Sequence, residues 1–176
     1  MFSRFALLSC FIPSALCLWP APRTATNGNS TLTLSSTFTI NGPANAPQDL
    51  QDAISRTMGY LKSDQLGRLI VGRGQTDSAS FTSAKSLSSL TLSFTGTGSI
   101  QSISAEAIAE ITARNDAYVL NVPSDGSAAT LSANSSLGLF RGLTTFSQLW
   151  YDYDGTTYAT GTPVKIQDNP AFVSVT

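Results

Sequence analysis

The stretch NSSLGLFRGLTTFSQLWY, residues 134–151, constrains the fold of this chain more than any other. Leu139, Leu143, Phe146 and Trp150 recur at i, i+4, i+7 and i+11, and Phe140 and Leu149 widen the same face. That spacing predicts a helix over 136–151 with an apolar side buried along its length. Ser135 or Ser136 can cap the first turn by accepting from free backbone N–H groups. Gly138 and Gly142 lie one turn apart, and each costs about 1 kcal/mol of helix propensity relative to Ala. Close approach of the helix to a sheet is the expected compensation.

Other segments supply that sheet. TLTLSSTFTI (31–40) puts Leu32, Leu34, Phe38 and Ile40 on one parity, as a strand would. GRLIVGRG (67–74) is a short apolar run between glycines and predicts a buried strand. SLSSLTLSFTG (86–96) alternates Leu90, Leu92 and Phe94. AYVLNVP (117–123) and AATLSA (128–133) flank Asp125-Gly126 and predict a hairpin. PVKIQD (163–168) reads as a last short strand. A second helix is expected over 48–62, where Leu50, Ile54, Met58 and Leu61 form one stripe.

Three segments are less regular. Residues 102–114 read either as an Ala-rich helix, with Glu106 and Glu110 one turn apart, or as an extended loop. Residues 18–31, rich in Pro, Ser, Thr and Asn, are expected to be extended and partly mobile. YDYDGTTYATG (151–161) reads as a polar loop ending the long helix. Strands and helices are interspersed, so the fold class is α+β: a mixed or antiparallel sheet with about two helices packed on one face. With 176 residues and 41% hydrophobic content, one domain with a sizeable core is expected.

The first 17 residues read as a secretory signal. MFSR supplies a positive start and FALLSCFIPSALCLW an apolar run, which Pro13 interrupts. Cleavage is placed before Leu18, so Cys10 and Cys17 leave with the signal and the mature chain has no thiol. The expected location is extracellular, with no membrane attachment after cleavage. Asn29 and Asn134 then become candidate glycosylation sites, each opening an Asn-x-Ser/Thr sequon. The formal charge of -1, without basic blocks, gives no support for nucleic-acid binding.

The chemistry available to the mature chain is narrow. The chain has no His, which removes His-based triads, cysteine–histidine dyads and HExxH zinc sites. Oxygen ligands alone remain for metals, and Asp152-Tyr153-Asp154-Gly155 lacks the later acids of a calcium loop. No metal and no cofactor are expected. Asp49/Asp52 and Glu106/Glu110 have helical spacing but read as solvated faces rather than a glycosidase carboxylate pair. VGRGQTD lacks the third Gly and the Lys of a phosphate loop. Arg141 reads as a structural guanidinium bridging the helix to a neighbour, in preference to a substrate grip. Gln148 reads as an interface or capping amide.

YVLNVPSDGSAATLSANSSLGLFRGLTTFSQLWY, followed by PVKIQDNPAF, closely resembles the fungal β-N-acetylhexosaminidases of glycoside hydrolase family 20. The shared pattern is a strand ending in V-P, a hairpin, A-N-[ST], then G-x-x-R-G-L-x-T-F-S-Q-L and P-[IV]-x-I-x-D-x-P-x-F. It carries Gly138, Arg141, Gly142, Thr145, Phe146, Gln148 and Leu149, whose implied role is structural. The resemblance is specific over residues 117–172 and looser upstream, through LWPAP, the Asn29 sequon and YLKSDQLGRLIVGRG.

The resemblance implies a non-catalytic, zincin-like N-terminal domain over 86–172, and a propeptide-like segment over 18–85 packed with it. The family's TIM-barrel catalytic domain follows. Its Asp orients the substrate's 2-acetamido group, whose oxygen attacks the anomeric carbon while a Glu protonates the leaving oxygen. That Asp-Glu pair has no counterpart here, so no catalytic residue is assigned and the chain is expected to be inactive alone. Where the family continues toward the barrel, residues 173–176 read VSVT, expected to be translated intron in a truncated product. The second reading is a stand-alone secreted glycan-binding or assembly module. Trp19, Tyr151, Tyr153 and Tyr158 are its stacking candidates, although packing is the favoured role for all four.

Overall fold

A computed structural model describes residues 18–63 and 72–169. Strand β1 spans Thr24–Asn41 and helix α1 Gln48–Ser63. A short helix α2, Arg73–Asp77, runs into a 3-10 turn at Ser78–Ser83 and then β2, Lys85–Phe94. Helix α3, Ile103–Ala107, and a 3-10 turn at Ile111–Ala113 lead to β3, Tyr118–Val122. Strand β4, Ala129–Ala133, is followed by α4, Ser136–Ser147, then β5, Tyr151–Tyr153, and β6, Thr156–Asp168.

The six strands form one mixed sheet in the order β1-β2-β4-β3-β6-β5. Pairings β1–β2 and β2–β4 are parallel; β4–β3, β3–β6 and β6–β5 are antiparallel. Strand β1 also runs antiparallel to β6, so the order closes on itself. One face is apolar in register: Leu92, Leu131, Leu120 and Ile166 stand side by side across four strands, all buried. The next row, Ser93, Ser132, Val119 and Gln167, faces outward. This alternation is what a period of two imposes on a sheet with one covered face.

Helices α1 and α4 lie against one another, and their stripes join the sheet's apolar face in a single core. Leu50, Ala53, Ile54 and Leu61 come from α1; Leu139, Leu143 and Phe146 come from α4. Each fully buried Leu or Phe contributes about 1.5–3 kcal/mol.

The α+β class, the hairpin and both long helices are present. Residues 102–114 resolve into two short helical turns, so the open choice between helix and loop has a mixed answer. Four expectations need correction. Residues 24–30 belong to β1 and pair with β6, rather than forming a partly mobile lead-in. The apolar run at 67–74 lies largely outside the described residues. Its described end turns at Gly72, with φ 85°, and enters α2 rather than a strand.

Residues 151–161 form the β5–β6 hairpin rather than a polar loop. Asp154 and Gly155 both take positive φ, as a two-residue turn matching strand twist requires. Finally, α4 ends at Ser147, and Trp150 is buried beyond it.

Candidate functional site

The segment that dominates the sequence packs one side of its helix into the core, against the sheet and α1. Ser135 caps α4, its hydroxyl oxygen accepting from the Gly138 N–H at 2.8 Å. The same hydroxyl donates to the Asn115 carbonyl, and the Ser136 hydroxyl donates to the Gln101 carbonyl. A carboxylate oxygen of Glu106 accepts from the Leu137 N–H at 2.7 Å, placing negative charge at the helix's positive end. Asp49 of α1 accepts from both the N–H and the hydroxyl of Ser104. Burial alone would raise the Asp49 pKa, but these hydrogen bonds outweigh it and hold the carboxyl below its ordinary range. Asp49 and Glu106 are therefore crosslinks between helices, which corrects their reading as solvated faces. Asp52, by contrast, is exposed on α1 with Gln48, and Glu110 is exposed.

The glycines permit close helix–sheet contact. A Cβ on Gly142 would lie 2.9 Å from Leu131 Cδ2 and closer still to its Cδ1. On Gly138 it would lie 2.9 Å from Ala133 Cβ and inside the Ala117 carbonyl oxygen. Thr145 is buried and shares a 2.7 Å hydrogen bond with the Tyr118 hydroxyl. Burial pushes the Tyr118 phenol up, partly offset by Thr145. Phe146 stacks on Phe38 at 6.1 Å and meets Trp150 edge-on at 5.6 Å. Leu149 completes this corner of the core.

Two motif residues look away from the core. Arg141 Nε lies 3.2 Å from an Asp116 carboxylate oxygen. The arginine side chain is 50% exposed, whereas that of Asp116 is 6% exposed. The second Asp116 oxygen has no hydrogen-bond partner among the described residues. Gln148 accepts from the Trp19 N–H at 2.7 Å and donates to the Trp19 carbonyl at 2.9 Å. The Trp19 indole itself is 83% exposed. Ile108, 84% exposed, stands on the α3 side of the same helix layer.

The three tyrosines among the stacking candidates are used for packing. Tyr158 is fully buried and donates to Asp77 at 2.9 Å. Burial first, then the neighbouring Asp77, raises its pKa strongly. Arg73 sits 4.2 Å over the Tyr151 ring, donates to Thr160 at 2.7 Å and pairs with Asp77 at 3.2 Å. Tyr153 packs on Gly74. This node joining α2 to the last hairpin escaped sequence reasoning. The i, i+4 spacing of Arg73 and Asp77 was its one visible signal.

Asn29 is exposed on β1, beside a register shift between Asn27 and Ser30. Asn134 is exposed just before α4, with its side-chain oxygen accepting from the Thr95 hydroxyl at 2.6 Å. Four surface clefts are lined by residues 33–36 with 61–62 and 155–157, by 121–125, 127–128 and 130 with 163–165, by 95 with 117–119, 132–134 and 167–169, and by 43–45 with 94 and 98–100. None of these four brings two carboxylates together. Asp152 and Asp154 lie in the β5–β6 hairpin, and no metal-capable group of three His, Cys, Asp or Glu occurs among the described residues. No helix of the described residues is long and apolar enough to cross a membrane.

The chain is similar in fold to three solved enzymes. The Flavobacterium johnsoniae chitobiase superposes with a TM-score of 0.57 and 22% identity over 88% of this chain. The Streptomyces plicatus N-acetyl-β-hexosaminidase gives 0.51 and 18% over 88%. The family 20 exo-β-N-acetylglucosaminidase of Vibrio harveyi gives 0.50 and 17% over 88%. The matched region is only 21%, 26% and 19% of those chains, respectively. No curated protein matches in sequence. The family model described as beta-acetyl hexosaminidase like matches residues 18–149. That match covers most of the chain, and the chain belongs to the β-acetyl-hexosaminidase-like family.

Proposed function

We propose that residues 18–169 form the non-catalytic supporting domain of a secreted β-N-acetylhexosaminidase. A separate TIM barrel would remove terminal N-acetylhexosamine from chitooligosaccharides and glycans. The outer face of α4 would carry the docking. One observation bears most of the weight: α4 buries its apolar stripe in its own sheet while Arg141 and Thr144 remain exposed and Gln148 holds Trp19. Trp19, beyond the C-terminal end of α4, and Ile108, just after α3, add two separate exposed apolar side chains to this helix layer.

Secretion follows from the reading of residues 1–17 as a signal; those residues lie outside the described ones. Asn29 and Asn134 would then carry glycans. A propeptide cut in residues 18–85 would leave an N-terminal piece held by β1, which hydrogen-bonds to both β2 and β6. The supporting role predicts that the purified chain does not hydrolyse a chromogenic N-acetylglucosaminide. Turnover by the chain alone would overturn it.

The second reading, a stand-alone glycan-binding module, is favoured by the exposed Trp19 indole. Titration with chitooligosaccharides would quench or shift Trp19 fluorescence if it holds.

A further inference from the structure

We infer that a glycan on Asn134 rests its first N-acetylglucosamine in the cleft that Asn134 itself borders. This rests on the export reading above and adds to it a seat for the sugar. The cleft lies at the ends of β2, β4, β3 and β6, on the face of the sheet away from the helices. Its volume is about 170 Å3. That is below the roughly 300–1,000 Å3 of sites enclosing drug-sized ligands, and suits one sugar ring rather than an oligosaccharide.

Three observations point to this occupant. First, the Asn134 side-chain oxygen is engaged by Thr95, which fixes the amide plane. The amide nitrogen, where the glycan attaches, is not needed for that bond. Second, the wall combines one exposed apolar side chain, Val119, with the uncharged polar groups of Thr95, Ser132, Gln167 and Asn169. A pyranose presents a C–H face and a rim of hydroxyl and acetamido groups, which such a wall matches. Third, the carboxylate in the wall is turned to structural use: Asp168 is buried and accepts from the Arg23 N–H at 3.1 Å. Asn29 borders none of these four clefts.

The test uses the full chain passed through a eukaryotic secretory host. Peptide mass spectrometry reads occupancy at both sequons. Endoglycosidase trimming to a single N-acetylglucosamine then allows NMR contacts to be sought between its protons and the Val119 methyl groups. Val119→Ala is compared in the trimmed chain and in the unglycosylated bacterial chain.

The expected result is an occupied Asn134, contacts to Val119, and a melting temperature lowered by Val119→Ala about 2–4 °C more in the trimmed form. An occupied Asn134 with neither contacts nor a differential effect overturns the seat. Glycan on Asn29 with bare Asn134 overturns the site while leaving export standing. A chain kept in the cytosol, bare at both sequons, overturns the export reading and this inference with it.

Discussion

The side-chain amide of Gln148 holds the main chain of Trp19 at both polar groups, with its oxygen accepting from the N–H and its nitrogen donating to the carbonyl. The two residues are 129 positions apart, so this clamp ties the start of the described chain to the end of α4. It fixes the backbone of Trp19 while leaving the indole in solvent. Gln148→Ala is expected to raise the exchange rate of the Trp19 amide hydrogen by at least about tenfold, the equivalent of 1.4 kcal/mol. Amides of β1 paired with β2 should be unaffected. Unchanged exchange at Trp19 would show that the clamp does not hold the segment.

The α4 glycines separate packing from propensity. Gly142→Ala gains about 1 kcal/mol of helix propensity but drives a methyl into Leu131. A net loss of about 1–3 kcal/mol is expected. Gly138→Ala should cost more, because one obstacle is the Ala117 carbonyl, which cannot swing aside as a side chain can. Gly59→Ala in α1 is the control: a Cβ there meets nothing within 4 Å, and the variant should gain about 0.5–1 kcal/mol. Urea denaturation of the three variants measures all of these, and equal signs at Gly142 and Gly59 would refute the close-approach argument.

Arg141 is the sole cation in an ion pair with Asp116 among the described residues. Its removal leaves a carboxylate buried without its counter-charge. Because the arginine is half exposed, the cost should fall below that of a fully buried pair. Arg141→Ala is expected to destabilise by about 1–3 kcal/mol. Adding Asp116→Asn should recover part of that loss. A simple sum of the two single effects in a double-mutant cycle would show that the pair is uncoupled.

The buried phenols are expected to limit stability at alkaline pH. Tyr158 and Tyr118 are both raised, whereas a phenol released by unfolding titrates near 10. The unfolded chain therefore loses these protons first. Their contribution is fully present below about pH 10 and is lost as pH rises beyond it. Ultraviolet titration should show delayed tyrosine ionisation coinciding with loss of fold, and Tyr158→Phe should move that transition upward in pH. Ordinary ionisation of all five tyrosines before unfolding would contradict this.

The opposite sign applies to Asp49. Its folded pKa is depressed, so its contribution is present above the ordinary carboxylate range, near pH 4, and is lost as pH falls below it. Ser104→Ala removes the hydroxyl bond but leaves the Ser104 N–H bond in place. It should therefore soften this acid transition without abolishing it. Thermal melts from pH 7 to pH 2 would check the difference between variant and parent.

The sequence by itself determined what depends on local periodicity. The 3.6-residue stripe of α4, that of α1 and the alternation of β2, β3 and β4 each record which side of one element meets apolar neighbours. The two glycines of α4 recorded a close approach, and the motif around Arg141 and Gln148 recorded the family. Tertiary structure decided whatever rests on main-chain pairing or on encounters between distant side chains. Strand β1 closes the sheet through N–H and C=O groups that every residue but proline carries, so Thr24–Ser30 gives no sign of it. Residues 151–161 read as a polar loop, and that polar composition concealed both the Asp154-Gly155 turn and the Tyr158 side chain that buries itself against Phe81 and Asp77. Asp49 and Glu106 look like surface-helix acids until Ser104 and the Leu137 N–H arrive from elsewhere in the chain. Periodicity reports an element's own faces, whereas hydrogen-bond partners are set by the three-dimensional path that brings them together.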